Sequence, residues 1–465
     1  MKIRVQLLAI IGLFALAFVV LPSYSVAQQA PKRDAKKAQQ MRIQAEKAYR
    51  QKNYRQAVNL YTQAIALDPG NADGHFWKGY ALLDLKEYDE SITELNTAQE
   101  LGYKPVDVYK VRSYLNYERK DYPAAIIDVR ELLKVEPDNV QAIRLSAEIN
   151  YQLKNYDEAL ASYQKLVTIA PADGNVYYLM ARIFAGKGDL QNQESSALSA
   201  IQRGTPNLVD AFLLAADAEL KLGKLAEAET NYLKSLNAKP DNPSVYKTLA
   251  EMYRAESRYN DAIDITRRAI KLYPSDGSFF TDNSWYYSLA GRHQEAAEAA
   301  QAGIRFKPNE YLAYTNLCRA YNDLEKPELA ISACNSALRL NPDDGETHFY
   351  IGRAYDTLNR TADATRSYKK AVSGLIEFTK QNPTYSDGFY LLGNSYFADG
   401  QPAKAIEAYL KCLEMNPNFA RARFNMAMVH VSEKQKAPAT TQYNILLRLD
   451  QVLAAKLKTQ LDKLP

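Results

Sequence analysis

Proline recurs at a step of 34 residues through most of this chain, and that period constrains the fold more than any other feature. Pro137 and Pro171 stand 34 apart, Pro240, Pro274, Pro308 and Pro342 continue at the same step, and Pro383 to Pro417 repeats it. Pro69 lies 68 before Pro137, with Tyr103 at the midpoint, and Pro206 is one residue out of step. One interval departs widely: Pro342 to Pro383 is 41. Tyrosine keeps the same beat at Tyr54, Tyr88, Tyr122 and Tyr156, and at Tyr259 after the slip. The chain holds 34 tyrosines, and this phasing makes most of them packing residues. A fixed period of this size marks a repeat architecture, because one unit cannot bury its apolar face alone and must stack on the next.

Within a period the pattern reads helix, turn, helix. Val245, Tyr246, Leu249, Ala250 and Tyr253 recur at helical spacing. A turn follows, with Asn260 expected to cap the second helix. Ala262, Ile263, Thr266, Ala269 and Ile270 make that helix's apolar stripe, and Pro274 ends it, since proline cannot continue a helix. Pro123, Pro327, Pro402 and Pro438 stand near the start of second helices, where a missing N–H costs nothing.

These residues resemble the tetratricopeptide repeat. One unit carries His348, Ile351, Gly352, Tyr355, Ala364, Tyr368 and Ala371. The next carries Phe389, Leu392, Gly393, Tyr396, Ala405, Tyr409 and Pro417, and the one before carries Tyr314, Leu317, Tyr321, Ala330, Ala337 and Pro342. Gln193 and Ser91 depart from the motif where alanine is expected. The resemblance implies an all-α, right-handed α-solenoid of about twelve helix-turn-helix units over residues 38–451, closed by a C-terminal capping helix over 452–465. The step of 41 is an insertion of seven residues around 373–382, about two helical turns, so a longer second helix keeps its apolar face in phase. That extra length either protrudes as a contact surface or pads a bend. Leu449, Leu453, Leu457 and Leu461 form the stripe of the final helix, read as the cap a solenoid requires, with an amphipathic helix for a membrane surface or partner as the lesser alternative.

The start of the chain has the parts of a signal peptide in order over residues 1–27. Lys2 and Arg4 precede an apolar run from Leu7 to Leu21, Pro22 breaks it, and Ser25-Val26-Ala27 offers small residues for cleavage. The run is shorter than the roughly 20 residues a membrane span needs. The alternative is an uncleaved segment anchoring the chain in an inner membrane, and either reading puts the rest outside the cytoplasm, in the periplasm or secreted. Residues 28–37 read as a polar linker.

Lys plus Arg is 58 against 54 for Asp plus Glu, too balanced for the basic face of a nucleic-acid binder. His75, His293, His348 and His430 lie far apart without metal-ligand spacing. No P-loop, dinucleotide fingerprint or paired-cysteine zinc motif is present. With the chain given over to repeats, no catalytic, cofactor-binding or metal residue is expected, and the chain is read as no enzyme. Cys318 and Cys334 occupy facing positions of one repeat, where two readings stand open, a disulfide or two small buried thiols. Cys412 reads as core.

The resemblance also implies a site. First helices line the concave side of such a solenoid, and their inward positions give Trp285, Arg319, Asn322, Phe349, Arg353, Tyr390, Asn394, Phe397, Arg421, Phe424 and Asn425. Rings supply apolar contact, and Arg and Asn hold backbone or carboxylate, which suits an extended peptide. The early repeats give Arg42, Glu46, Tyr49, Lys110, Tyr114, Tyr117, Arg144 and Tyr151, aromatic and mixed in charge. Asn394 and Asn425 match two places of the family's carboxylate clamp, but Tyr390, Ala455 and Thr459 stand where its cations should be. The function implied is a scaffold that binds partner proteins or peptides, with an envelope-assembly, secretion or export complex as its setting. Phe349 and Phe424 are expected to be exposed groove rings and Tyr355 to be core.

Overall fold

The computed structural model describes residues 34–464, so the expected signal segment lies outside the described residues. Among these residues are 25 α-helices, α1 to α25 in chain order, and no strand. They form two compact units that divide after Ile183. The first runs from α1 (Ala35–Arg50) and α2 (Tyr54–Leu67) to α8 (Tyr156–Ile169) and the start of α9 (Gly174–Lys187); the second continues to α25 (Gln451–Leu461). Each is an α-solenoid of stacked helical hairpins. Of the linker expected over 28–37, residues 28–33 lie outside the described residues and 35–37 are helical: Asp34 accepts a hydrogen bond from Lys37 N at 3.1 Å and starts α1 at Ala35.

The period is written into the backbone at the turn inside each hairpin. Lys52, Lys86, Lys120 and Lys154 hold positive φ in the first unit. Gly188, Gly223, Ser257, Gly291, Glu325, Asn359, Gly400 and Lys434 do so in the second. After each of these residues the chain turns back on itself and the orphan carbonyls of the first helix are satisfied. Lys52 N donates to Tyr49 O at 2.8 Å and Asn53 N to Ala48 O at 2.9 Å; Gly400 and Gln401 repeat the pair onto Phe397 and Tyr396. The second helix then begins two residues on, which puts the periodic tyrosine at its first position in α2, α8 and α14 (Tyr259–Leu272). That spacing overrides the cap expected at Asn260, which lies inside α14, while Arg258 holds the cap position without a side-chain capping bond.

Packing of a hairpin rests on residues sixteen apart, one on each helix. Ala45 and Tyr61, Ala147 and Tyr163, and Ala216 and Tyr232 are such buried pairs. The fit is tightest with glycine. A Cβ on Gly352 would lie 2.6 Å from the Tyr368 ring, and one on Gly393 2.6 Å from Tyr409. In α17 (Tyr311–Asp323) and α18 (Pro327–Leu340) the same two places hold Cys318 and Cys334. The close approach brings their Cα atoms to 5.2 Å, and the sulfurs are bonded. Of the two readings left open, the disulfide is the one observed. Cys412 is a free buried thiol, pushed up to about 12 by burial. The two motif departures are satisfied in place: Ser91 Oγ donates to Gly79 O at 2.6 Å and Gln193 Nε2 to Leu214 O at 2.8 Å.

The insertion lengthens one helix. α20 (Thr361–Gln381) has 21 residues against 14 in α18, and Val372, Leu375 and Thr379 continue its buried face. It lies tight against the start of α19 (Gly345–Thr357), where a Cβ on Gly374 would come within 2.5 Å of Asp343 O. The extension therefore packs as a wall of the groove. At the C-terminus, α25 buries Ala454, Leu457 and Leu461 against Leu446 of α24 (Lys436–Leu449), the apolar side expected of a cap. Tyr355 is half-buried under the Arg360 guanidinium at 4.5 Å, so it is less enclosed than its motif position suggested.

Candidate binding groove

In the second unit the first helices α15 (Gly277–Leu289), α17, α19, α21 (Ser386–Ala398) and α23 (Ala420–Ser432), with the tail of α20, surround a cavity of about 1490 Å3. That is roomier than the roughly 300–1,000 Å3 of a small-molecule pocket. Trp285, Arg319, Phe349, Arg353, Tyr390, Asn394, Phe397, Arg421 and Asn425 line it, so nine of the eleven predicted residues come together.

The other two do not join them. Asn322 donates through Nδ2 to Cys318 O and Tyr350 O, both at 3.0 Å, and so staples α17 to α19. Phe424 packs into the cluster of α24 and α25, because the cap needs an apolar partner. Phe349 lines the cavity yet is buried, against Tyr350 at 5.3 Å and Tyr368 at 6.0 Å. The expectation that Phe349 and Phe424 are free groove rings is therefore corrected: both are packing residues.

The polar groups are largely engaged with one another. Arg319 is buried, bonds Glu346 and lies 4.9 Å over the Tyr350 ring, leaving its Nε without a partner. Arg353 pairs with Asp323 at 3.2 Å. Asn425 donates to Asn394 Oδ1 at 2.8 Å and to the Tyr390 hydroxyl at 3.1 Å, while Tyr409 also donates to Asn394 at 2.6 Å. The two asparagines that matched a carboxylate clamp thus form a closed network within the wall. Two bridges span the unit. Arg254, on α13 (Pro243–Ala255), bonds Asp387 at 2.8 Å and lies 4.9 Å over Trp285, and Arg421 donates to Leu289 O.

What remains open to a ligand is mostly aromatic and acidic. Phe397 is 39% exposed. Asp282 lines the cavity and makes no ion pair among the described residues, and burial, only partly opposed by Lys247, pushes its carboxyl up to about 6. Asp282, Asp387, Arg254 and Phe378 were missed by the sequence reading. The first three occupy inward positions of first helices: Asp282 and Asp387 are carboxylates where rings, arginine and asparagine carried the expectation, and Arg254 lies on α13 (Pro243–Ala255), one repeat before the first predicted residue of this groove. Phe378 is on the inserted turns, which no repeat position describes. Among the described residues no group of histidine, cysteine and carboxylate side chains could hold a metal ion.

The early groove differs in its charges. Arg42 pairs with Asp73 at 3.2 Å, Lys110 with Glu136 at 2.7 Å and Arg144 with Asp173 at 2.7 Å, so its cations are held by their own neighbours. Glu46 pairs with Arg50. The rings remain: Tyr49 meets Tyr80 at 5.7 Å and Trp77 at 6.5 Å, and Tyr117 and Tyr151 rest on Tyr122 and Tyr156 at 5.8 and 6.0 Å.

Sequence profiles described as tetratricopeptide repeat match residues 44–103, 112–174, 213–277 and 315–383, and a second such profile matches 386–419. The Hsc70-interacting protein 1 of Drosophila melanogaster is 36% identical over 91 residues, 20% of this chain and 24% of that protein. The chain thus spans about a quarter of that relative's length. Among solved structures, yeast Tom70 aligns over 91% of this chain and 94% of its own at 14% identity and a TM-score of 0.37. The Naa15/Naa10 structure bound to HypK-THB aligns over 88% and 68% at 15% identity and a TM-score of 0.42.

Proposed function

The chain belongs to the tetratricopeptide-repeat family, and from that premise we propose that it is a scaffold binding segments of partner proteins along its concave faces. Proteins of this family act as protein–protein interaction scaffolds. The observation that carries the proposal is the cavity of the second unit, long enough to run along five first helices and rimmed by an exposed Phe397 beside half-buried Trp285 and Tyr390. Rings of this kind in a concave wall are the anchors that dominate protein interfaces. A photo-crosslinking residue in place of Phe397 should capture a partner in extracts, whereas the same probe at Leu410, exposed on the outer helix α22 (Pro402–Met415), should not. Crosslinking from Leu410 and none from Phe397 would move the binding face to the outside.

We further propose that the scaffold works outside the cytoplasm, in the periplasm or secreted, within an envelope-assembly, secretion or export complex. Residues 1–27 support export by their order of charge, apolar run and small residues. The disulfide supports it independently, since such bonds persist in oxidising compartments. The second reading, an inner-membrane anchor, rests on the apolar run from Leu7 to Leu21. Among the described residues no helix is long and apolar enough to cross a membrane. Mass spectrometry of the mature protein separates the two: a chain beginning at Gln28 supports export with cleavage, and one retaining Leu7 supports the anchor.

A further inference from the structure

On the groove of the first unit, we infer that the tyrosines and carboxylates form a ladder that takes an extended, arginine- or lysine-bearing segment of a partner protein. The inference rests on the scaffold reading and names the chemistry of the ligand for one of its two grooves.

Three carboxylates face the rings. Tyr49 donates its hydroxyl to Asp84, Tyr114 faces Glu118, and Tyr117 faces Glu148 across to the next repeat. Asp84 lies close to both Tyr49 and Tyr114, so the rungs are continuous from one hairpin to the next. None of the three carboxylates makes an ion pair among the described residues. Arg144, the cation near Glu148, is bonded to Asp173 at 2.7 Å. On α3 (Ala72–Asp84) and α5 (Pro105–Glu118), Lys78 is likewise engaged with Glu94 and Arg112 with Asp128, both at 2.7 Å. The face therefore presents negative charge and ring surface with its positive charge withdrawn. Trp77 is 38% exposed and Tyr114 is 50% exposed, so the rings are reachable.

The first unit displays the interaction on its own account. Arg182, on α9, lies 5.3 Å from the centroid of the Tyr151 ring and 5.8 Å from that of Tyr178. Both distances are within the roughly 6 Å at which a guanidinium is attracted to a ring face. Tyr151, the next tyrosine along this face, thus carries an arginine from the following first helix, and among the described residues Tyr49, Tyr114 and Tyr117 carry none. A guanidinium or ammonium arriving from outside meets the same ring face plus a carboxylate, a pairing that an anionic segment would lose to repulsion.

The test uses the full chain and two labelled decapeptides, one alternating arginine with alanine and one alternating glutamate with alanine, followed by fluorescence anisotropy at physiological ionic strength. The arginine peptide should bind saturably and the glutamate peptide should not. Asp84→Asn with Glu118→Gln and Glu148→Gln should weaken the arginine peptide by about tenfold. Tyr114→Leu, at an exposed ring, should weaken it by about threefold. Removing the same charge from outer helices, with Glu90→Gln, Glu100→Gln and Glu158→Gln, should leave affinity unchanged. Circular dichroism melting confirms that each variant is folded. Equal loss from the outer-helix variant would reduce the effect to net charge and overturn the inference, as would binding of the glutamate peptide or no saturable binding of either. Those results leave the Phe397 crosslinking outcome untouched, so the scaffold reading stands or falls separately.

Discussion

Side-chain bonds in the first unit reach the adjacent repeat, as Tyr49 to Asp84 does across 35 positions. In the second unit Arg254 reaches Asp387 across 133 positions and Arg421 reaches Leu289 across 132. An array whose repeats touch only their neighbours has a stability that is nearly a sum of local terms. Bridges between distant repeats add a term that no single hairpin owns, and they couple helices far apart in sequence. The difference shows in the grooves as well. One has its cations paired sideways and leaves carboxylates and rings facing outward; the other has its polar wall tied internally and encloses a cavity.

The largest expected effect comes from breaking a bridge. The side chains of Arg254 and Asp387 are only 13% and 11% exposed. Arg254→Met should destabilise by about 3–5 kcal/mol, because it leaves a buried carboxylate unpaired. Adding Asp387→Leu should recover most of that loss. In the first unit, Arg42→Met removes a pair whose partners are 25% and 61% exposed, and should cost about 0–1 kcal/mol. Urea unfolding read by amide exchange in α13 and α21 measures the first effect, and exchange in α1 the second. Equal costs in the two units would erase the distinction drawn here.

A smaller effect tests the cavity wall. Burial lifts the Asp282 carboxyl from an ordinary 3.8 to about 6. The folded chain therefore holds this proton to higher pH than the unfolded chain does, and folding stability should fall as pH rises between about 4 and 6. Lys247 opposes this shift, while Glu251, Asp276 and Glu310 add to it. Asp282→Asn should flatten the slope over that window and raise stability at neutral pH by about 1–3 kcal/mol, the lower part of the range allowing for solvent at its half-buried side chain. Thermal melts at several pH values decide it, and an unchanged slope would show that the carboxyl is well solvated.

The smallest effect sharpens the contrast at the turns. All four turns inside first-unit hairpins hold lysine at positive φ, whereas four of the eight in the second unit hold glycine. Lys120→Gly should stabilise by about 1 kcal/mol, since an L side chain in that conformation is strained. A midpoint shift in urea would register it, and a loss of stability would mean that Lys120 makes contacts outweighing the strain.

The repeat, its turns and the inserted two turns of α20 were legible in the sequence because each is a matter of spacing along one chain. The groove was legible to the same extent, since inward positions of first helices follow from the period. What spacing could not report is which inward groups are already taken. Asn394 and Asn425 look like ligand donors until Tyr390 and Tyr409 are seen to complete their network, and Phe424 looks free until α25 covers it. Arg254 and Asp387 meet only because of how far the second unit curves, a sum of small rotations that no residue encodes alone.

The bond between Cys318 and Cys334 also has a mechanical consequence. A solenoid held at both ends and stretched yields by peeling one hairpin after another, each adding its contour to the tether. Residues 319–333 lie inside the covalent loop and cannot join that extension. With about 3.3–3.6 Å of reach per residue, the drawn-out chain stays roughly 50 Å short of its reduced form. A reductant would thus lengthen the tether without touching any other hairpin, making tensile reach a property set by the redox state of the surroundings.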